Sequence, residues 1–467
     1  MKHKQYKILI VIGALLFAQS CKITKNYERP QLVQHDGFRS GQDYSDTSSI
    51  AQYDWMEFFS DTILQRHIEV GFANNIDAQI AVQNLLMTES YLKQAKAGFY
   101  PTFQMDANGG KSTISLNSIN GSFIENRVWF DQLNLSGSLS WEADIWGKIK
   151  SQKKAALAQY LQTQNAQQAV RSQLIASIAT NYFLLLSLDK QREVILSTIE
   201  NRKQSVATIK ELKEAGTVTQ VAVKQNEALF YTAQALLLDI DNQIKINENA
   251  LSILLGKAPG AIERSSLDGI EIVTPYEIGV PVALISNRPD VLAAENNLIS
   301  TFELTNVARA SFYPTISITA TGGLSSLTFA DLFGVNSLFG NALANLTQPI
   351  FGRRRLKTQL EVTKAQQEIA LLNYKQTILT AYREVSDALY TYEANDGKLV
   401  IKEQEKAALM DAIEYSEELQ TYGLANYLEV LTAKNNALNT QLTLVQIEFS
   451  RLQSIVQLYR ALGGGKI

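Results

Sequence analysis

The chain contains one unit twice, and this duplication limits its possible folds more than any other feature of the sequence. Ala95-Lys96-Ala97-Gly98-Phe99-Tyr100-Pro101-Thr102 returns 213 residues later as Ala308-Arg309-Ala310-Ser311-Phe312-Tyr313-Pro314-Thr315. Trp146-Gly147-Lys148 then matches Phe351-Gly352-Arg353, Gly216 matches Gly423, and Leu255-Gly256 matches Leu462-Gly463, at offsets of 205 to 207. Four landmarks in the same order mean one folding unit used twice, so every local pattern has to make sense in both copies.

In each copy a helical stretch runs into Phe-Tyr-Pro, where proline ends it and turns the chain extended. Strand patterns follow. From Trp129 to Glu142 the odd positions Trp129, Leu133, Leu135, Gly137, Leu139 and Trp141 are apolar, with Asp131 the exception. The even positions include Gln132, Asn134, Ser136, Ser138, Ser140 and Glu142. Phe103, Met105 and Ala107 alternate with Thr102, Gln104, Asp106 and Asn108 in the same period of two. The second copy sets Ile316, Ile318 and Ala320 against Ser317, Thr319 and Thr321, with a weaker alternation from Leu338 to Ile350. Phe99, Tyr100, Trp129, Phe130, Trp141, Phe312, Tyr313, Phe329 and Phe333 stand at the ends of these stretches. Alternating strands of about ten residues with aromatic ends fit a transmembrane β-barrel. The pattern alone also fits four strands of a soluble sheet. In a membrane four strands cannot stand alone, because each unpaired backbone group costs several kcal/mol there. The barrel would then be shared between chains: two chains give eight strands filled by side chains, three give twelve around a water-filled lumen. Polar inward faces favour three.

The rest of each copy reads as helix. From Gly147 to about Glu214, and from Gly352 to about Thr421, Gly and Pro are nearly absent, with Asn395-Asp396-Gly397 the one weak point. About 70 residues at 1.5 Å each span about 100 Å, more than a globular core needs. Leu431, Leu438, Leu442, Val445, Phe449, Leu452, Val456 and Tyr459 form a coiled-coil seam, and Ile175, Ile178, Ala179, Tyr182, Leu185 and Leu186 a comparable stripe. Gly216, before Thr217, and Gly423, before Leu424, interrupt the long runs as left-handed helix ends, at the end of each copy farthest from its strands. They form the expected far tip, where a partner would dock.

The remaining signals are at the N-terminus and in what the composition lacks. Lys2, Lys4 and Lys7 precede the apolar run Ile8 to Ala18, which is a secretory signal peptide in form and too short to span a membrane. Cys21, the only cysteine, follows Ser20 directly, as at a bacterial lipobox, although Ala18 stands where Leu is usual. Acylation there would anchor the mature chain. Residues 22 to about 60 lack periodicity and read as an extended tether. Lys+Arg 43 against Asp+Glu 46 leaves a net charge of −3, without the basic footprint of a nucleic-acid partner. One cysteine and three histidines, His3, His35 and His67, supply no metal cage, cofactor site or nucleophile-base pair, so no enzyme is expected. Gly463-Gly464-Gly465 reads as a flexible end, since the strand and helix context of a phosphate loop is missing.

Three stretches carry a family resemblance. Leu284-Ile285-Ser286-Asn287-Arg288-Pro289-Asp290-Val291, followed by Ala293-Ala294-Glu295 and by Val307 to Pro314, resembles the hallmark segment of the TolC-like outer-membrane efflux factors, in the lipoprotein branch that serves resistance-nodulation-division pumps. Trp141-Glu142-Ala143-Asp144-Ile145-Trp146-Gly147-Lys148 resembles that branch's strand-to-helix junction, and Tyr422 to Leu431 its periplasmic tip. The resemblance implies a mainly α, duplicated fold: long coiled helical hairpins forming a periplasmic α-barrel, plus four transmembrane β-strands per chain that complete a 12-stranded barrel as a homotrimer. It implies passive conduction of drugs or metal ions from a periplasmic adaptor and an inner-membrane resistance-nodulation-division transporter, out through the outer membrane. Carried over residue by residue, Gly216, Thr217, Gly423 and Leu424 become the adaptor-docking tip. Tyr422 and Glu429 become the gate, with Glu429 replacing the usual Asp of an acidic ring. Ala425 stands where better-known members carry a base, and Val221 and Ala222 where a polar clamp would stand, so that salt-bridge network does not carry over.

The expected layout is a signal peptide over 1–20, an anchor and tether over 21–60, and first-copy helices over 61–100. Outer-membrane strands 1 and 2 follow over 101–146, a hairpin over 147–255 and an equatorial linker over 256–287. The second copy gives a helix over 288–313, strands 3 and 4 over 314–351, a hairpin over 352–462 and a tail over 463–467. Two other readings remain at this point: the outer-membrane part of type I protein secretion, and a lipid-anchored periplasmic coiled-coil scaffold without a channel.

Overall fold

A computed structural model of the chain describes residues 23–31, 53–119, 122–270, 288–424 and 427–465. The expected signal peptide and Cys21 lie outside the described residues, as does 271–287 of the expected linker. The elements in chain order are α1 Trp55–Phe58, α2 Thr62–Asn74, α3 Ile76–Ala97, β1 Thr102–Thr113, β2 Trp129–Ala143, α4 Lys148–Glu214, α5 Gln220–Leu254, α6 Pro289–Ala310, β3 Thr315–Ser326, β4 Leu338–Thr347, α7 Arg355–Thr421 and α8 Tyr427–Ala461. The duplication is explicit in their lengths. α3 and α6 have 22 residues each, α4 and α7 have 67, and α5 and α8 have 35. Two compact units result, one of residues 1–31, 86–162 and 295–373, which holds the strands and the first turns of α4 and α7, and one of 32–85, 163–294 and 374–467, which holds the rest of the hairpins.

In the strand unit all pairings are antiparallel, in the order β1-β2-β3-β4. Phe103 lies opposite Leu139, Leu139 opposite Ala320, and Ala320 opposite Ala342. One residue further along β1, Gln104 faces Ser138, Ser138 faces Thr321, and Thr321 faces Asn341. Side chains alternate with a period of two, so this register gathers the apolar sets of β1, β2 and β3 on one face and their polar sets on the other, with Phe130 the exception. Strand β4 is mixed, since Phe339 and Leu343 fall on the polar face beside Asn341 and Asn345.

The junction below β2 explains its sequence. Asp144 caps α4 by accepting the backbone N–H groups of Ile149 and Lys150 at 2.9 and 2.8 Å. Glu142 pairs with Lys148 at 3.0 Å. The Trp146 indole donates to the Pro314 carbonyl at 2.7 Å and packs 5.3 Å from the Tyr313 ring, tying this junction to the Phe-Tyr-Pro of the other copy. Gly147 takes φ +73° here, whereas in the second copy Arg353 and Arg354 take φ 46° and 66°. Since α4 starts at Lys148 and α7 at Arg355, 207 residues apart, Gly147 is structurally equivalent to Arg354 and not to the Gly352 that the motif match aligns with it.

The N-terminal segment lies along α6. Lys25 is held at both backbone groups by Asn306, its N–H donating to Oδ1 at 3.1 Å and its carbonyl accepting from Nδ2 at 2.9 Å. Arg29 meets the buried Glu295 at 2.5 Å.

In the hairpin unit the stripe Ile175, Ile178, Ala179, Tyr182, Leu185 and Leu186 is fully buried. So are Leu438, Val445, Phe449, Leu452, Val456 and Tyr459 of the seam, while Leu431 and Leu442 are half-buried. The tether reading missed a piece of this core: Trp55, Phe58 and Phe59 are buried, with Phe58 stacked 4.2 Å from Tyr459. Helix α7 runs unbroken through Asn395-Asp396-Gly397, where Asn395 is buried and Asp396 meets Arg451 at 3.5 Å. Packing there outweighs the roughly 1 kcal/mol that an internal glycine costs a helix.

Candidate channel wall and docking tip

Both hairpin turns close in the same way. At the first, Gly216 (φ +77°) donates its N–H to Lys213 O and Thr217 to Leu212 O, both at 3.0 Å. At the second, Gly423 (φ +69°) donates to Gln420 O at 3.0 Å and Leu424 to Leu419 O at 2.9 Å. These paired bonds satisfy helix-end carbonyls and require a left-handed residue, which glycine adopts at no steric cost. A Cβ on either glycine would meet nothing within 4 Å, so both turns present open surface. Tyr422 and Leu424 are 72% and 75% exposed. Glu429 is exposed in the first turn of α8, a favourable place for negative charge. Within one chain, and among the described residues, neither Tyr422 nor Glu429 has a polar partner. Ala425 and Asn426 lie outside the described residues.

The structure adds residues near these two turns that the sequence reading missed. The Tyr427 hydroxyl donates to Asn226 Oδ1 at 2.5 Å, and Asn226 in turn donates to Ala222 O at 2.9 Å, so the start of α8 is tied to α5. Burial raises the pKa of Tyr427. Lys210 of α4 reaches Glu227 of α5 at 3.0 Å, and Lys434 of α8 reaches Glu417 of α7 at 2.6 Å. Lys210 and Glu417 are 207 residues apart, as are Glu227 and Lys434, so the two copies keep the same bridge with its charges exchanged. That spacing is a signal the sequence did contain.

The Arg288-Pro289-Asp290 motif is a structural hub. Arg288, 2% exposed, donates to both carboxylate oxygens of Asp290 at 3.0 and 2.6 Å, to Glu384 at 2.7 Å and to the Ala461 carbonyl at 2.9 Å. Glu384 also meets Arg460 at 3.2 Å. Burial alone would raise the pKa of Asp290, but the hydrogen bonds and charge of Arg288 outweigh it and hold the carboxyl below its ordinary value. The motif thus clasps the start of α6 to α7 and to the C-terminal end of α8.

The channel-wall candidate is the sheet. Phe103, Met105, Leu135, Leu139, Ile318 and Leu346 cover one face, and Gln104, Asp106, Asn134, Ser138, Thr319 and Asn345 the other. Among the described residues β1 and β4 are each paired on one side only. Most of the strand residues of a single chain are exposed or half-buried on both faces.

Comparison with known proteins matches this architecture. A family model described as outer membrane efflux protein covers residues 72–257 and 280–464, one block for each copy. The solvent efflux pump outer membrane protein SrpC of Pseudomonas putida is 31% identical over 462 residues, 97% of each chain. The cation efflux system protein CusC of Escherichia coli (strain K12) is 26% identical over 464 residues, 98% of this chain and 99% of that one. The crystal structure of a membrane protein from Pseudomonas aeruginosa superposes with a TM-score of 0.87 at 27% identity, over 95% of this chain and 100% of that one. With a duplicated fold, a two-faced sheet and a family match across both copies, the chain belongs to the outer membrane efflux protein family.

Proposed function

We propose that the chain is the outer-membrane duct of a tripartite efflux system, a homotrimer whose twelve strands close one barrel and whose helical hairpins extend into the periplasm. The observation that carries this reading is the sheet: one apolar face, one polar face and two half-paired edges in each chain. An unpaired edge cannot persist in hydrocarbon, and three copies joined β4 to β1 leave none. The duct is passive. A periplasmic adaptor, coupled to an inner-membrane resistance-nodulation-division transporter, docks on Gly216, Thr217, Gly423 and Leu424, and the opening it induces moves Tyr422 and Glu429 off the axis. Three Glu429 carboxylates on that axis repel one another and attract cations, which makes them a gate. Acyl chains on Cys21 hold the trimer to the membrane lipid. Relatives named for solvent and cation efflux favour small solutes over a secreted protein as cargo.

Single-channel conductance of the purified protein in planar bilayers tests the reading, with Glu429→Gln alongside and oligomer mass from the same preparation. Weakly conducting trimers that open wider or change ion preference on substitution are the expected result. Folded, lipidated protein that neither inserts nor conducts would leave the periplasmic scaffold as the better account.

A further inference from the structure

The four strands contain four ionisable side chains among the described residues, and three of them are neutralised. Lys111 and Asp131, cross-strand partners on the apolar face, meet at 3.5 Å. Glu142, at the foot of β2, pairs with Lys148 at 3.0 Å. Asp106 is the exception. It stands on the polar face opposite Ser136, and its carboxylate accepts from the Gln104 amide at 3.0 Å, a neutral donor that leaves the charge intact. Around it this face is mainly hydroxyls and amides, among them Gln132, Asn134, Ser138, Thr319, Thr321 and Asn341, with the apolar Phe130, Phe339 and Leu343 between them and the paired Glu142 at its foot.

From this placement we infer that Asp106 sets the charge preference of the barrel, so that the exit passes neutral and cationic solutes and disfavours anions. The inference rests on the trimeric-duct reading, in which the polar face turns inward and the threefold axis makes one Asp106 into a ring of three. Twelve strands about 4.8 Å apart, tilted by about 40°, give a wall roughly 24 Å across at the backbone. Side chains reaching ~5 Å inward would put the three carboxylates ~7 Å from the axis and ~12 Å apart. With a Debye length of about 8 Å at physiological salt, three such charges enrich a monovalent cation on the axis roughly 3.5-fold and deplete an anion by the same factor. At 1 M salt, where the Debye length is about 3 Å, the enrichment falls to ~1.3-fold. A wall on which the one other strand charge, Glu142, is already paired with Lys148 neither offsets this field nor holds a solute by ion pairing, so the ring biases passage without trapping what passes.

The test is the reversal potential of full-length protein in bilayers under a salt gradient, comparing Asp106→Asn and Asp106→Lys with the unmodified chain. Asn preserves the size and the bond to Gln104, and oligomer mass verifies assembly. The cation-to-anion permeability ratio should fall several-fold in Asp106→Asn near 0.15 M, reverse toward anions in Asp106→Lys, and differ little between variants at 1 M. Channels that conduct with one ratio in all three proteins would overturn the assignment and leave the duct standing. A change in ratio that persists at 1 M would also overturn it, since a screened charge cannot produce that. Assembled trimers that carry no current would overturn the duct reading, and this assignment with it.

Discussion

Replacing Arg288 by Met should weaken the hairpin unit by about 3 kcal/mol at neutral pH, an effect that shrinks in acid. The substitution keeps the apolar stem and removes a guanidinium that is 2% exposed and bonded to Asp290, Glu384 and the Ala461 carbonyl. Breaking a buried ion pair by deleting one partner costs about 3–5 kcal/mol, because the other charge is stranded. Two features put this case at the low end: Glu384 retains Arg460 at 3.2 Å, and the Asp290 side chain is 39% exposed. The pH dependence follows from the lowered pKa of Asp290. In the unmodified protein that carboxylate contributes stability present above its unfolded pKa of about 3.9 and lost as pH falls through its depressed folded value. In Arg288→Met burial is no longer offset by Arg288 and protonation relieves the stranded charge, so the gap narrows as pH falls through the unfolded value of about 3.9 and closes only below the depressed folded value of the unmodified protein. The midpoint of helix loss by circular dichroism in detergent, read at pH 7 and at successive steps down to pH 3.5, measures this. Equal midpoints at pH 7, or a gap that widens in acid, would refute the reasoning.

Three further outcomes are expected. Tyr427→Phe removes the hydroxyl that ties α8 to Asn226, worth about 1 kcal/mol, so backbone amides over residues 222–230 should exchange with deuterium roughly fivefold faster while those around Leu185 keep their rates. Gly216→Ala should cost only the left-handed penalty of about 1–2 kcal/mol, because its Cβ meets open space, whereas Gly256→Ala drives a Cβ into the Asn74 carbonyl oxygen and should lower the unfolding midpoint more. Tyr459, whose pKa burial pushes up to about 12, contributes stability that is complete below about pH 10 and lost as pH rises toward 12. In Tyr459→Phe the decline of the unfolding midpoint across that alkaline range should become shallower.

What the sequence disclosed and what it hid divide by the range of the interaction. The strands were legible because a period-two pattern is local, and one register aligns it across β1, β2 and β3, as the row Phe103, Leu139 and Ala320 demonstrates, whereas β4 alternates weakly in sequence and carries Phe339 and Leu343 on the polar face. The turns were legible because a left-handed helix end needs glycine wherever it occurs, and Gly216 and Gly423 each stand alone at the end of a 67-residue helix. The tip ties were not legible. Tyr427 and Asn226 are 201 residues apart in sequence, and nothing around either one names its partner. Arg288 draws on Glu384 and Ala461, 96 and 173 residues away, so its motif stands out in the sequence while its task does not. The exchanged bridges Lys210 to Glu227 and Glu417 to Lys434 fall between these cases. Matching the copies by identity misses them, because each position carries the opposite charge in the other copy. Matching by pairing finds them, because a salt bridge survives when both of its ends exchange. In a duplicated chain the comparison that exposes long-range contacts is therefore between pairs of positions: two residues that change together between the copies, and keep their charges opposite, are neighbours in both.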